Sequence, residues 1–223
     1  FQLSIRNSFI FTFATVALSF VVGFFCAWLL NEVKRGRTFY RVLIVLPWVI
    51  SPVIAGYTWR WLVNDQFGFL NHALKSLGLI DHNIIWLGDQ NLAFITVIIA
   101  ASWRLFPFVM IMLLAGLQKV SATLLEAADI DGASGWQKFI HITLPQVWSV
   151  VVVILLLSFI WMFNDFGIVH IMTKGGPLNS TMVIPVLIRI LTFQHLRMGT
   201  ASALALILAV MLMTLSIVYL KIT

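Results

Sequence analysis

Five stretches of this chain, at about 8–30, 42–63, 91–117, 147–169 and 198–220, each run for more than twenty residues with at most one Asp, Glu, Lys or Arg. A helix needs about 20 mostly apolar residues to cross the roughly 30 Å hydrocarbon core of a bilayer. Backbone N–H and C=O groups find no water there, so a single apolar run satisfies them by becoming helical. Each stretch is apolar around all its faces, as a helix buried in protein and lipid should be. Composition points the same way: 61% of residues are hydrophobic and 10% charged, against about 45–50% and about 25% in soluble domains. The expected fold is all-α, a polytopic transmembrane helical bundle forming a single domain over residues 1–223. A sixth apolar stretch, Thr181 to Leu191, is too short to span and contains Pro185 and Arg189. It reads as a partly buried or interfacial segment.

Loop charges predict the topology, because Lys and Arg accumulate on the cytoplasmic side. Loop 31–41 carries Lys34, Arg35, Arg37 and Arg41 against Glu32 alone, whereas loop 64–90 carries Lys75 against Asp65, Asp81 and Asp89. The first is therefore expected in the cytoplasm and the second outside. By alternation, loop 118–146 and Lys221 are cytoplasmic and loop 170–196 is external. Five spans place Phe1 outside, and one more helix is expected upstream of it. Trp48, Trp59, Trp61 and Trp86 fall near the expected interfaces, where indole rings are favoured.

The formal charge of +6 does not indicate nucleic acid, since a nucleic-acid binder clusters Lys and Arg on one face. Cys26 is the only cysteine. It cannot form an intrachain disulfide, no Cys/His metal spacing exists, and core packing is its expected role.

One connecting loop has more order than a linker needs. Ser121 can cap a helix whose favourable formers run through Glu126, Ala127 and Ala128 to Asp131. Gly132 then supplies a sharp turn without a Cβ clash. A second short helix carries Trp136, Phe139 and Ile140 at helical spacing, and Pro145 suits the first turn of the next membrane helix. This helix–turn–helix over 121–145 presents three carboxylates and an apolar stripe, which reads as a docking surface. Glu126, Asp129 and Asp131 lack a ligand loop for a hard metal ion and read as solvated charges.

The spaced pattern Glu126-Ala127-Ala128, Asp131-Gly132-Ala133, Phe139, Ile142, Leu144 and Pro145 resembles the family-defining loop of ABC importer permeases. Beyond that loop, Asn7-Ser8, Gly36-Arg37, Arg41, Leu46-Pro47, Trp86-Leu87, Trp103, Pro107-Phe108, Ala115-Gly116-Leu117 and Thr173-Lys174-Gly175-Gly176-Pro177 with Ser180-Thr181 are similar to the sugar-importing branch. The external motif Thr173–Pro177 with Ser180-Thr181 resembles that of the larger permease of maltose-type and glycerol-phosphate-type importers. The resemblance covers nearly the whole chain. It implies the type I importer permease fold, with 121–145 as a cytoplasmic coupling helix seated in a cleft of an ATP-hydrolysing subunit. Glu126 would pair there with a basic residue, and Gly132 would make the turn. The expected assembly contains a second homologous permease, two ATPase subunits that bind ATP and Mg, and an extracytoplasmic solute-binding protein, in the bacterial inner membrane. This chain would hold no cofactor and no catalytic residue.

Ionisable groups inside spans are costly and therefore candidates for function. Arg104 and Asp165 lie within spans, and Ser158, Trp161, Phe163 and Asn164 lie beside Asp165. Aromatic faces and hydrogen-bonding groups are what a sugar requires, so these six residues are the expected substrate path. An ion pair linking helices is the competing reading for Arg104 and Asp165. Gly175, Gly176 and Pro177 lack the Walker spacing of a phosphate loop and read as a tight external turn. A membrane-embedded enzyme would need a convergent catalytic set, and a channel or scaffold would need no patterned loop. Within the family, glycerol phosphate or a polyol is the alternative cargo.

Overall fold

A computed structural model describes residues 1–33 and 35–222, so Lys34 of the basic loop lies outside the described residues. Four long apolar helices form its frame: α1 (Gln2–Glu32), α5 (Gln90–Leu117), α8 (Leu144–Phe163) and α11 (Met198–Ile222). Between them lie α2 (Arg37–Val49), α3 (Pro52–Leu62), α4 (Phe69–Ser76), α6 (Ala122–Ile130), α7 (Gly135–Lys138), α9 (Gly167–Thr173) and α10 (Ile184–Phe193). No strand occurs among the described residues.

The centre of the bundle is α5, packed closely against α1. Ser8, Thr12, Thr15, Ser19, Gly23 and Ala27 recur at three- and four-residue spacing and form one buried stripe on α1. Small side chains let two backbones approach where lipid offers no hydrophobic drive between helices. The Ser19 hydroxyl donates to the Ser102 carbonyl at 3.4 Å, and the Ser102 hydroxyl donates back to the Thr15 carbonyl at 3.3 Å. A Cβ at Gly23 would lie 2.8 Å from Val109 Cβ and 3.0 Å from the Phe106 carbonyl oxygen. Gly23→Leu is therefore expected to pry α1 from α5 at a cost of about 1–3 kcal/mol. Thermal unfolding in detergent checks this, with a melting point several degrees lower expected and an unchanged one contradicting the close approach.

Two expected spans are not continuous helices. The stretch 42–63 is divided into α2 and α3, which meet at 94°. Proline drives the preceding residue out of the helical region, and Ser51 before Pro52 has φ −53° and ψ 140°. The Ser51 hydroxyl then accepts the Val53 N–H at 3.3 Å, capping α3. The stretch 147–169 stops at Phe163, and α9 begins only at Gly167. Gly167 is held close to Pro52, where a Cβ would meet Pro52 Cβ at 2.7 Å. The sixth stretch is helical as α10, over 184–193 rather than 181–191, with Arg189 5.9 Å from the Phe166 ring centroid.

Loops gather at two ends of the bundle. At one end, the Asn7 amide of α1 donates to the Asn179, Ser180 and Met182 carbonyls at 2.9–3.4 Å, and Ser8 accepts the Ile184 N–H at 2.9 Å. The connection from α3 to α5 comes to the same end, ordered by the buried Asn71, whose side-chain oxygen accepts the Trp86 indole N–H at 2.9 Å. Trp86 is thus tied to protein rather than only to an interface. At the opposite end, Arg37 and Arg41 converge on the Gln118 side chain at the end of α5, with its amide oriented to offer them the oxygen.

Candidate functional site

The segment from Ser121 to Pro145 sits at the Arg37–Gln118 end, where the Ser121 N–H donates to Gln146 Oε1 at 3.4 Å. Its first helix, α6, ends in a Schellman motif: the Ala133 N–H reaches the Ala128 carbonyl at 2.9 Å and the Gly132 N–H reaches Asp129 at 3.2 Å. Gly132 occupies the left-handed position this motif requires, at φ +76°, while a Cβ there would meet nothing within 4 Å. Glycine is needed here for backbone conformation and not for space. Ser134 starts α7 with a capping box, exchanging hydrogen bonds with Gln137.

Three local expectations differ from what is observed. Ser121 stands at the N-cap of α6 but its hydroxyl pairs with Thr123 at 2.6 Å instead of capping. The three carboxylates do not act together: Asp129 pairs with Lys138, while Glu126 and Asp131 are exposed. Finally, the second short helix does not end before Pro145. A single turn of π-helix over Phe139–Thr143 joins α7 to α8, giving one helix from Gly135 to Phe163. Pro145 lacks an N–H and crowds the carbonyl four residues back, and a wider turn absorbs both defects.

No residue of α6 or α7 is buried. Ile130 is 88% exposed and Trp136 70%, and Ala127 is exposed beside Glu126, with Ala128 half-buried. Large apolar side chains held outward on capped helices, with carboxylates between them, suit a partner surface. Phe139 faces inward: its ring lies 5.8 Å from Trp136 and 5.8 Å from Phe24 of α1. It thereby ties the exposed segment to a membrane helix.

A second feature lies inside the apolar region. Trp48 at the end of α2, Arg104, Leu105, Trp161 and Met162 line a recess of about 330 Å³. Phe108, one turn beyond Arg104 on α5, has its ring tilted 5.7 Å from Trp48 and edge-on 4.8 Å from Trp161, so three aromatic rings form one wall. Arg104 Nη2 is 3.6 Å from Asp165 Oδ2, with the two side chains 17% and 4% exposed. The other Asp165 oxygen accepts the Ile168 N–H at 3.2 Å, in the first turn of α9.

Of the six expected path residues, Arg104 and Trp161 meet at this recess and Asp165 stands behind Arg104. Asn164 is exposed at the end of α8, its amide donating to the Ile160 carbonyl at 3.0 Å. Ser158 and Phe163 are fully buried instead. Phe163 packs at 5.1 Å from Phe9 and 5.5 Å from Phe159, so it serves helix packing. Trp48 is a recess residue that sequence reasoning treated only as an anchor. Its position four residues before Pro52, at a helix break, was the available signal.

At the far end, Gly175 has φ +92° and a Cβ there would lie 2.5 Å from Met182 Cε. Thr181 closes this turn, its hydroxyl donating to the Gly176 carbonyl at 2.8 Å, and the Gly176–Pro177 bond is cis. Together with Arg60 and Trp86, Gly176 and Pro177 border a polar crevice of about 380 Å³.

Comparison with known proteins agrees with this geometry. The chain is 37% identical over 214 residues to a protein of Brucella suis biovar 1 (strain 1330) named Probable ABC transporter permease protein, covering 96% of this chain and 74% of that one. It is 36% identical over 215 residues to the trehalose/maltose transport system permease protein MalF of Thermococcus litoralis, covering 95% and 71%. Its fold matches a chain of a crystallised bacterial ABC transporter involved in alginate import, with TM-score 0.88 at 23% identity over 100% of this chain and 78% of that one. This is the type I importer permease fold, and the protein is a multi-pass transport component rather than an enzyme. Residues 19–221 match the family of binding-protein-dependent transport system inner membrane components, and the chain belongs to that family.

Proposed function

We propose that this chain carries a sugar, a di- or oligosaccharide, across the bacterial inner membrane by alternating access, driven from the surface formed by residues 121–145. The observation that carries this reading is the single helix from Gly135 to Phe163, which joins that surface to the recess at Trp161. In the proposed assembly, the exposed surface around Glu126, Ile130 and Trp136 docks on one of two ATPase subunits, which bind ATP and Mg. A second, homologous permease completes the pathway, and the loop end bearing Gly175, Gly176 and Pro177 faces the solute-binding protein. That orientation puts the Arg-rich loop in the cytoplasm, in accord with its charge. Support for a binding protein comes from the family itself and from a fold neighbour crystallised with a pentasaccharide-bound periplasmic protein.

Cargo is inferred from the recess. Indole faces match the C–H surfaces of a sugar ring, and Arg104 supplies a polar contact, with Asn164 exposed just beyond at the end of α8. The trehalose/maltose relative supports a saccharide, while a relative 32% identical from Agrobacterium fabrum, named for sn-glycerol-3-phosphate transport, keeps a phosphorylated polyol as the alternative. Uptake by reconstituted transporter tests the site. Trp161→Ala and Asn164→Ala are each expected to lower uptake several-fold with ATPase coupling intact. Full uptake with unchanged substrate preference in both would remove them from the path.

A further inference from the structure

The recess presents a cation whose charge is already balanced. Arg104 borders it, yet the guanidinium faces Asp165 at 3.6 Å, and that carboxylate is almost wholly enclosed. Asp165 cannot swing away without cost, because its second oxygen is held by the Ile168 N–H. Ile168 is itself fully buried, on a short helix pressed against α3 where a Cβ at Gly56 would lie 2.9 Å from Ile171 Cβ. A buried carboxylate therefore stands directly behind Arg104, the cation that borders the recess.

We infer that Asp165 sets the charge selectivity of the path, so that the recess accepts uncharged saccharides and rejects anionic ones. This inference rests on the recess being part of the path. An anionic group binding Arg104 would compete with Asp165 for the guanidinium and would meet a like charge in a weakly screening environment. A sugar hydroxyl has no such competitor. It needs only a donor, and the Arg104 side chain, 17% exposed, borders the recess. The site thus offers hydrogen bonding without net charge. Asp165 acts through Arg104 as a positioning residue and borders no solute itself.

The test compares trehalose with trehalose 6-phosphate, radiolabelled, in equilibrium dialysis against the purified transporter complex without its binding protein. The wild-type complex is expected to bind trehalose at least tenfold more tightly. Asp165→Asn should narrow or reverse that ratio by tenfold or more, since it frees the Arg104 charge. The double variant Arg104→Gln with Asp165→Asn, which removes both charges, should restore preference for the neutral sugar. Trp161→Ala should weaken both probes alike. A wild-type preference for the phosphorylated sugar, or an unchanged ratio in Asp165→Asn, overturns the charge assignment while leaving the site in place. If neither probe binds the wild type, or Trp161→Ala alters neither affinity, the reading of the recess fails, and the selectivity role with it.

Discussion

A transporter carrying Gly132→Val is expected to insert and assemble normally, retain basal ATPase activity, and lose at least tenfold in solute uptake. The residue sits at φ +76° in open surroundings, so a side chain there meets no neighbour. What it meets is its own backbone: left-handed conformation costs a β-branched residue more than the roughly 1–2 kcal/mol that other L-residues pay. The Schellman bonds to Ala128 and Asp129 would open, and α6 would lose its fixed angle to α7. Helix packing inside the membrane is untouched, which is why the loss should fall on coupling. Gly132→Asn separates conformation from side-chain presence, because Asn tolerates the left-handed region, and it should keep most of the uptake. Parallel measurements of ATPase and uptake in proteoliposomes decide the matter. Normal uptake by Gly132→Val would mean that the 121–145 surface is not where the drive enters.

Arg104→Ala should be more damaging to the protein itself. It leaves the Asp165 carboxylate, 4% exposed, without its cation. Removing one partner of a buried pair costs about 3–5 kcal/mol, whereas replacing both by apolar side chains of similar volume is often close to neutral. The single variant is therefore expected to fall at least tenfold in the amount of folded transporter recovered from membranes. Arg104→Met combined with Asp165→Leu, which keeps the volume, should recover most of that loss. The asymmetry has a structural basis, because Arg104 borders a recess and solvent can partly replace its partner, while Asp165 has no such access. Equal losses in the single and double variants would show that the two residues act separately.

How far these features were legible in the sequence depends on the range of the interactions that produce them. The apolar runs announce α1, α5 and α11 because membrane insertion is a property of each segment alone. Gly132 and Ser134 announce a turn because caps are local. The breaks at Pro52 and Asn164 fall within apolar stretches, and hydropathy treats a broken and an unbroken run alike. Pro52 carried the signal for the first. The second depends on α9 fitting against Pro52 and Gly56, which no local pattern expresses. The Arg104–Asp165 pair joins residues far apart in the chain, so residue type left a path and an ion pair between helices equally open, and only the packing shows the two side chains 3.6 Å apart. Ser158 and Phe163 show the converse: residue type suggested a path, and the face of α8 they occupy turned them into the bundle.

The unbroken helix through the π-turn has a mechanical consequence. From Gly135 to Trp161 it extends about 39 Å at 1.5 Å per residue, as one helix over Gly135–Phe163. A tilt of about 10° at the docking end would then displace Trp161 by roughly 7 Å, comparable to the width of a sugar ring. In the proposed assembly, gearing between the ATPase and the recess would then follow from helix length, with a small rotation of the partner expected to open or close the wall of aromatic rings.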